Sequence, residues 1–311
     1  MAQHLAGKVA IVTGGAGGIG SNIVALYAKQ GAKLVITDTG GDVEGRTGID
    51  SSRVDAVVAN ARSLGAEAVG IAGDIADLDF AESVVRLALE TYGKLDILVC
   101  GHGILRERMI FNMTEDEWDE VVRVHLRGCF APTKFASIYW RTSMNGGRII
   151  YFTSDAGIFG SAGQPNYSAA HAGKLGLMRS NAQALAKYNV TSNCIAPLAS
   201  TRMTDRGRAV DRGASAPSLA AAGTPMDPAN IAPIAAWLGS DEGGAVTGRI
   251  FGAGGHRISV YHEPVQERVL VGRKPAFDID WLFENWEATI GQDRFYPGAR
   301  GLQPVPAPAG T

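Results

Sequence analysis

Lys8-Val-Ala-Ile-Val-Thr13-Gly-Gly-Ala-Gly-Gly-Ile-Gly20 is an apolar run that ends in glycines and then becomes a helix. Val9 to Val12 is short, apolar and rich in β-branched residues, as suits a strand buried on both faces. Ile19, Ile23 and Leu26 then take up helical spacing. The pattern predicts strand, tight turn, helix. Gly14, Gly18 and Gly20 sit at the change of period, where glycine lets the backbone turn sharply, approach a pyrophosphate with its N–H groups and pack the helix closely on the strand. The helix N-terminus favours the anion. A glycine turn alone is only a flexible connector. This one follows a strand, opens a helix and fronts a chain that keeps alternating apolar runs with helical patterns, so it reads as a dinucleotide site.

At 311 residues the chain can bury a sizeable core. An α/β unit of about 250 residues as one domain is ordinary. The formal charge of −2, with Lys and Arg scattered, provides no basic field, so no nucleic-acid partner is expected. The N-terminus lacks a charged stretch followed by a removable apolar segment, and no apolar run approaches membrane-spanning length. A soluble, cytoplasmic protein without a membrane partner is expected. Cys100, Cys129 and Cys194 are isolated and form no metal-ligand pair, which points to buried thiols in a reducing compartment.

Lys33 to Asp38 is the second expected strand, and Asp38 falls where an acidic side chain meets the adenosine ribose hydroxyls. A carboxylate there repels a 2′-phosphate, so the expected cofactor is NAD rather than NADP. Thr39 to Asp50 is rich in glycine and charge and reads as a surface insertion outside the sheet. Val54 to Leu64 is helical, and Glu67 to Ala72 a strand leading to Asp74, placed to accept from the adenine amino group. Asp77 caps an expected helix from Leu78 to Tyr92. Leu95 to Cys100 is the fourth strand, and the backbone of Gly101-His102-Gly103 can approach the cofactor.

One long helical region runs from Glu115 to about Met144 and carries His125. Arg148 to Ser154 is a strand that puts Ser154 at its carboxyl end, the edge that holds the ligand in open parallel sheets. Gln164 to Tyr188 reads as helix, Val190 to Ala196 as strand, Leu198 to Thr224 as an irregular lid over substrate, Pro228 to Leu238 as helix and Gly248 to Phe251 as a last strand. The expectation is a single doubly wound Rossmann-type sheet with helices on both faces over residues 1–258, followed by an extension over 259–311. In that extension Trp281, Phe283 and Trp286 need a surface to cover, on the domain or on a partner subunit. Gly298 to Thr311, rich in Pro and Gly, is expected to be disordered.

Over about the first 255 residues these motifs resemble the short-chain dehydrogenase/reductase family. Within it the chain is most similar to the (3R)-hydroxyacyl-CoA dehydrogenase unit of the peroxisomal multifunctional enzyme. The resemblance rests on Thr13–Gly20, Thr39-Gly-Gly-Asp42, Gly103-Ile-Leu-Arg-Glu-Arg108, Arg123-Val-His-Leu-Arg-Gly128, Gly163-Gln-Pro-Asn-Tyr-Ser-Ala-Ala170 and Ile195-Ala-Pro-Leu-Ala-Ser-Thr-Arg-Met-Thr204. The aromatic tail around Trp286 also looks like that unit's carboxyl-terminal segment. The resemblance implies Ser154 as the group that orients the substrate oxygen and Tyr167, thirteen positions later, as general acid/base. His125 falls where most of the family has Asn, to hold a relay water or merely to pack. Cofactor contacts are implied for Gly14, Gly18, Ile19, Gly20, Asp38, Asp74, Ile75, Gly101, His102, Gly103, Tyr167, His171 and Thr201. A homodimer or homotetramer is implied as well.

Two departures stand out. The family's Tyr-x-x-x-Lys reads Tyr167-Ser-Ala-Ala-His171, and its Asn-Asn-Ala-Gly reads Cys100-Gly-His-Gly103, with His102 expected beside the cofactor. Bringing a tyrosine from about 10 to about 7 takes roughly 4 kcal/mol. One cation about 4 Å away supplies roughly that much at an effective dielectric near 20. A histidine of ordinary pKa is mostly uncharged at neutral pH. Lys174 shares the helix face of Tyr167 and His171 but stands about 10 Å along the axis from the tyrosine, and is expected to be a solvated or interface lysine.

The expected function is an NAD-dependent oxidoreductase acting on a small-molecule secondary alcohol or its ketone, such as a 3-hydroxyacyl-CoA or a steroid-like alcohol. Alternatives on the same fold are non-redox proton-transfer or lyase chemistry by His102, His125 and His171, and a binding scaffold that keeps the pocket. No zinc site is expected, because the three histidines lack carboxylates to orient them.

Overall fold

The computed structural model describes residues 3–205, 216–266, 269–271 and 278–289. The chain divides into two compact units, Met1–Tyr261 and His262–Thr311. In the first, seven parallel strands, β1 (Val9–Thr13), β2 (Lys33–Asp38), β3 (Ala68–Ala72), β4 (Ile97–Cys100), β5 (Gly147–Phe152), β6 (Val190–Pro197) and β7 (Ile250–Gly254), run in the order 3-2-1-4-5-6-7. An eighth, β8 (Arg257–Val260), pairs antiparallel with β7 at the edge. Sequence reading ended the sheet at Phe251 and missed β8, whose four residues are mostly exposed and carry no buried apolar run. The expected boundary at residue 258 therefore falls inside a strand.

Alternate residues of each strand feed two cores, as the period of two requires. Ala10, Val12, Ile36, Val99 and Ile150 pack with Ile23 and Tyr27 of α1 (Gly18–Lys29), Val54 and Val58 of α2 (Ser51–Ser63) and Leu238 of α8 (Ala232–Gly239). Val9, Ile11, Val35, Leu98 and Tyr151 pack with Val84 of α3 (Leu78–Tyr92), Trp140 of α5 (Gly128–Ser143) and Met178 of α7 (Pro165–Ala184). Helices therefore cover both faces, as the continuous apolar strands demanded. Asp77 caps α3 as expected, accepting from the backbone of Phe80 at 2.8 Å. All three cysteines are free and buried, also as expected.

The long helical region is continuous from Glu115 to Ser143, as expected, but not uniform: α4 (Glu115–Val122) passes through a π turn at Arg123–Arg127 into α5, with His125 in the π turn. A further short helix, α6 (Asp155–Phe159), lies between β5 and α7. The insertion Thr39–Asp50 holds no strand, but it does not hang free. Val43 accepts from the backbone of Leu105, Glu44 accepts from the Arg106 guanidinium at 2.8 Å, and Gly45 lies against Ile104. Of the expected lid, residues 206–215 lie outside the described residues. The flanking pieces are tied by the Ser218 N–H donating to Asp205 at 2.8 Å.

In the second unit the expected helix is present as α9 (Ile279–Asn285), where Phe283 is exposed. Gly298–Thr311 lies outside the described residues. No helix among the described residues is long and apolar enough to cross a membrane.

Trp140 is fully buried and its indole N–H donates to the Leu95 carbonyl at 2.7 Å, tying α5 to the approach of β4. Trp140→Phe removes that donor and leaves a void, so it should cost about 2–3 kcal/mol of stability in urea denaturation.

Candidate active site

The carboxyl ends of the strands open onto a cleft of about 450 Å³. Gly14, Gly18, Ile19, Gly20, Asp38, Asp74, Ile75, Gly101, His102, Gly103, His125, Tyr167, His171 and Thr201 all border it. The glycine turn has the form the sequence predicts. Gly14 has φ of +66°, and a Cβ there would press on the backbone of His102 at 2.5 Å. A Cβ on Gly20 would run into the Gly14 carbonyl, and one on Gly18 into Thr201. No side chain caps α1, whose N-cap is Gly17, so its first N–H groups remain for an anion.

Asp38 ends β2 with both oxygens held by backbone donors, Oδ1 by Gly40 at 2.8 Å and Oδ2 by Ala16 at 3.0 Å. The carboxylate is thereby fixed in direction while its remaining lone pairs stay available. Asp74 is more heavily engaged than expected. Its Oδ2 pairs with Arg123 at 2.6 Å and its Oδ1 accepts from the Ala76 N–H at 2.9 Å, which competes with the expected adenine contact.

Just past the end of β5, Ser154 caps α6, its Oγ accepting from the Ala156 N–H at 3.2 Å; unlike Tyr167 it is not among the residues that border the cleft. Burial pushes the Tyr167 phenol up to about 12, partly offset by Ser154. The His171 ring lies 4.0 Å from the Tyr167 ring at 32°, and the His125 ring 4.9 Å away, edge-on at 78°. The two imidazoles are 4.6 Å apart. His171 is 3% exposed, and neither of its ring nitrogens has a hydrogen-bond partner.

One expectation is overturned here. Lys174 is neither solvated nor at an interface: it is fully buried, and its ammonium donates to His125 Nδ1 at 3.1 Å and to the Phe152 carbonyl at 3.0 Å. Helical side chains lean toward the N-terminus, and the four-carbon stem spans the turn that the axial estimate counted against it. His102 has its backbone at the cleft, but its ring turns inward, Nδ1 lying 2.5 Å from the Thr13 hydroxyl. It braces β1 against the loop after β4. Sequence reasoning also missed Asn166. This fully buried amide donates to the carbonyls of Arg106 and Glu117 and accepts from the Tyr167 N–H at 2.8 Å, fixing the start of the catalytic helix. Its place just after a helix-opening proline was the available signal.

Among the described residues no group of His, Cys, Asp and Glu is placed to hold a metal ion. Both nitrogens of His125 are engaged. Lysine ammonium only donates, so Nδ1 accepts and Nε2 carries the hydrogen, which it donates to the Ile104 carbonyl at 2.6 Å in preference to accepting from the Ile104 N–H, 3.1 Å from the same nitrogen.

Residues 8–211 match the family model described as short chain dehydrogenase. The chain belongs to the short-chain dehydrogenase/reductase family. It is 38% identical over 272 residues to a hydroxyacyl-CoA dehydrogenase of Mycobacterium tuberculosis, covering 85% of this chain and 82% of that one. It is 38% identical over 232 residues to the mouse peroxisomal multifunctional enzyme type 2, covering 75% of this chain but only 30% of that much longer protein. The crystal structure of a short chain dehydrogenase from Mycobacterium avium aligns with TM-score 0.79 at 35% identity, over 99% of this chain and all of the other. Family membership makes the chain an oxidoreductase by class, and the resemblance to the multifunctional-enzyme unit agrees with these relatives.

Burial, and then the charge of Lys174, hold His125 and His171 well below the ordinary histidine value. Below about pH 6.5 the unfolded chain protonates these imidazoles while the folded chain does not, so stability falls as pH drops, by up to about 1.4 kcal/mol per pH unit for each. Urea denaturation across about pH 6.5 to 5.5 should show this slope, and His171→Phe should remove about half of it.

Proposed function

We propose that this protein is an NAD-dependent dehydrogenase that interconverts a secondary alcohol and its ketone, with a 3-hydroxyacyl-CoA or a steroid-like alcohol as substrate. The observation that carries the reading is Tyr167, a buried phenol that feels the Ser154 hydroxyl and borders the same cleft as the glycine turn and Asp38. The residues fit NAD. The uncapped start of α1 would hold the pyrophosphate and Asp38 the adenosine ribose, while His171 borders the cleft with both ring nitrogens buried. Bound NAD supplies the hydride acceptor.

The remaining chemistry belongs to the protein. Ser154 holds the substrate oxygen, and Tyr167 exchanges the proton on it. A phenol with pKa near 12 is protonated at neutral pH, so Tyr167 is ready as the acid for ketone reduction and must lose a proton for alcohol oxidation. Oxidation should therefore accelerate as pH rises. Non-redox chemistry by histidines is not favoured, because His125 has both nitrogens engaged, the His102 Nδ1 meets Thr13 while its Nε2 is buried, and His171 has both nitrogens buried with burial opposing its protonation. Phe130 and Ile138, exposed on α5, support assembly into a homodimer or homotetramer.

NADH should bind at least tenfold more tightly than NADPH, and Asp38→Ala should erase most of that preference in a fluorescence titration. Equal dissociation constants in the unmodified protein would remove the assignment of Asp38. Against a panel of 3-hydroxyacyl-CoAs and steroid alcohols with NAD, Tyr167→Phe should lower turnover by about 10²–10⁴-fold while NADH binding persists.

A further inference from the structure

The family pattern puts a lysine at position 171, and this chain puts a histidine there that burial keeps uncharged. The positive charge is present all the same, one turn later and from a different direction. Lys174 Nζ sits between His125 Nδ1 and the Phe152 carbonyl, and among the described residues no carboxylate pairs with it. A buried ammonium with two neutral acceptors is costly. Its seat is nonetheless specific: the π turn presents His125, and the end of β5 presents the carbonyl.

We propose that Lys174 is the positioning residue of this site, its ammonium supplying through His125 the fixed positive charge that a lysine at 171 would supply directly. His171 is then the neutral residue that this arrangement requires. The inference rests on the dehydrogenase reading for its effect on rate, but not for its structural content.

His125 is the link. With Nδ1 accepting from Lys174, its Nε2–H points at Ile104, and its ring stands edge-on to Tyr167. The contacts on the two sides of His125 put the ammonium within about 9 Å of the Tyr167 ring centre, where a unit charge moves a buried pKa by at most about one unit at an effective dielectric near 20, a smaller effect than the burial that dominates the Tyr167 shift. The other titratable groups within electrostatic reach of Lys174 are His171 on α7 and the thiols of Cys100 on β4, Cys129 on α5 and Cys194 on β6. His102, on the loop after β4, acts on His125 and His171. Burial holds the Cys100 and Cys194 thiols up, whereas, against its burial, Cys100 and then Lys174 pull the Cys129 thiol well down, and no carboxylate is among these groups. A second lysine at 171 would bring a second ammonium into a site that has no carboxylate for it.

The test compares the unmodified protein with K174M, H171K and the H171K/K174M double variant. K174M should move the rising limb of the pH–rate profile of alcohol oxidation up by at most about one unit, costing up to about tenfold in rate below it. H171K should lower both activity and thermal stability where Lys174 is present, and should do neither, or raise activity, in the double variant. Nitrogen-15 spectra of the unmodified protein should show His125 as the Nε2–H tautomer from about pH 5 to about pH 9, and K174M should change its Nδ1 signal.

An unchanged pH profile in K174M would overturn the proposal, as would an H171K effect that is the same with and without Lys174. If no alcohol is oxidised by the unmodified protein, the functional reading fails, and the His125 tautomer together with the stability of the four proteins still decides the role of Lys174. If K174M does not fold, H171K decides without it. Its thermal stability should lie below that of H171M, which adds bulk without charge, and equal stability of the two would refute the proposal.

Discussion

A parallel sheet with apolar side chains on both faces is the constraint from which the rest of this molecule follows. Strands such as β1, with all five residues buried, can be satisfied only by helices on both sides, and parallel neighbours require each connection to cross over as a helix. Every strand therefore delivers its carboxyl end to the same edge. Thr13, Asp38, Cys100 and Phe152 end their strands along one line, and the loops that follow have no choice but to build the cleft there. The glycines after β1 are the price of bringing the α1 helix down onto that edge, since a Cβ at Gly14 or Gly20 would meet backbone.

What could be read in the sequence divides along physical lines. Features set by short-range pattern were legible: the strand–turn–helix at Val9–Lys29, the Asp77 cap, the burial of three cysteines, and the arrival of Asp38, Ser154 and Tyr167 at one edge. Features set by the reach of a side chain or by pairing between distant segments were not. Helical spacing placed Lys174 on the same face as Tyr167, but its burial depends on His125, 49 positions earlier, and on the Phe152 carbonyl, neither of which helical spacing can show. The inward turn of His102 depends on the Thr13 hydroxyl, 89 positions earlier in the chain. β8 has no apolar face to announce it and exists through its pairing with β7.

The proton-transfer end of the cleft is assembled from three places that brace one another. Asn166 ties the start of α7 to the carbonyls of Arg106 and Glu117, so the tyrosine backbone is held by the segment after β4 and by α4. The same segment after β4 holds the Thr39–Asp50 loop through Leu105 and Arg106. One stretch of irregular chain thus fixes both the cover of the nucleotide end and the acid/base of the other end. That is a compact way to keep two distant halves of a reaction in register.

The π turn at Arg123–Arg127 also solves a problem of helical phase. Glu117, Val121, His125, Cys129, Thr133, Ala136 and Trp140 are all buried, and they follow one another at intervals of four except for a single three. A regular helix of 3.6 residues per turn would carry such a stripe progressively round the axis. The one extra residue taken up by the wider turn brings it back, so that Glu117 beside the catalytic helix and Trp140 beneath the sheet share one continuous face. The irregularity that aims His125 is therefore also what lets α4 and α5 act as a single rod. Removing one residue from that turn would leave the rod's two ends facing different ways, and no side-chain substitution could restore the alignment.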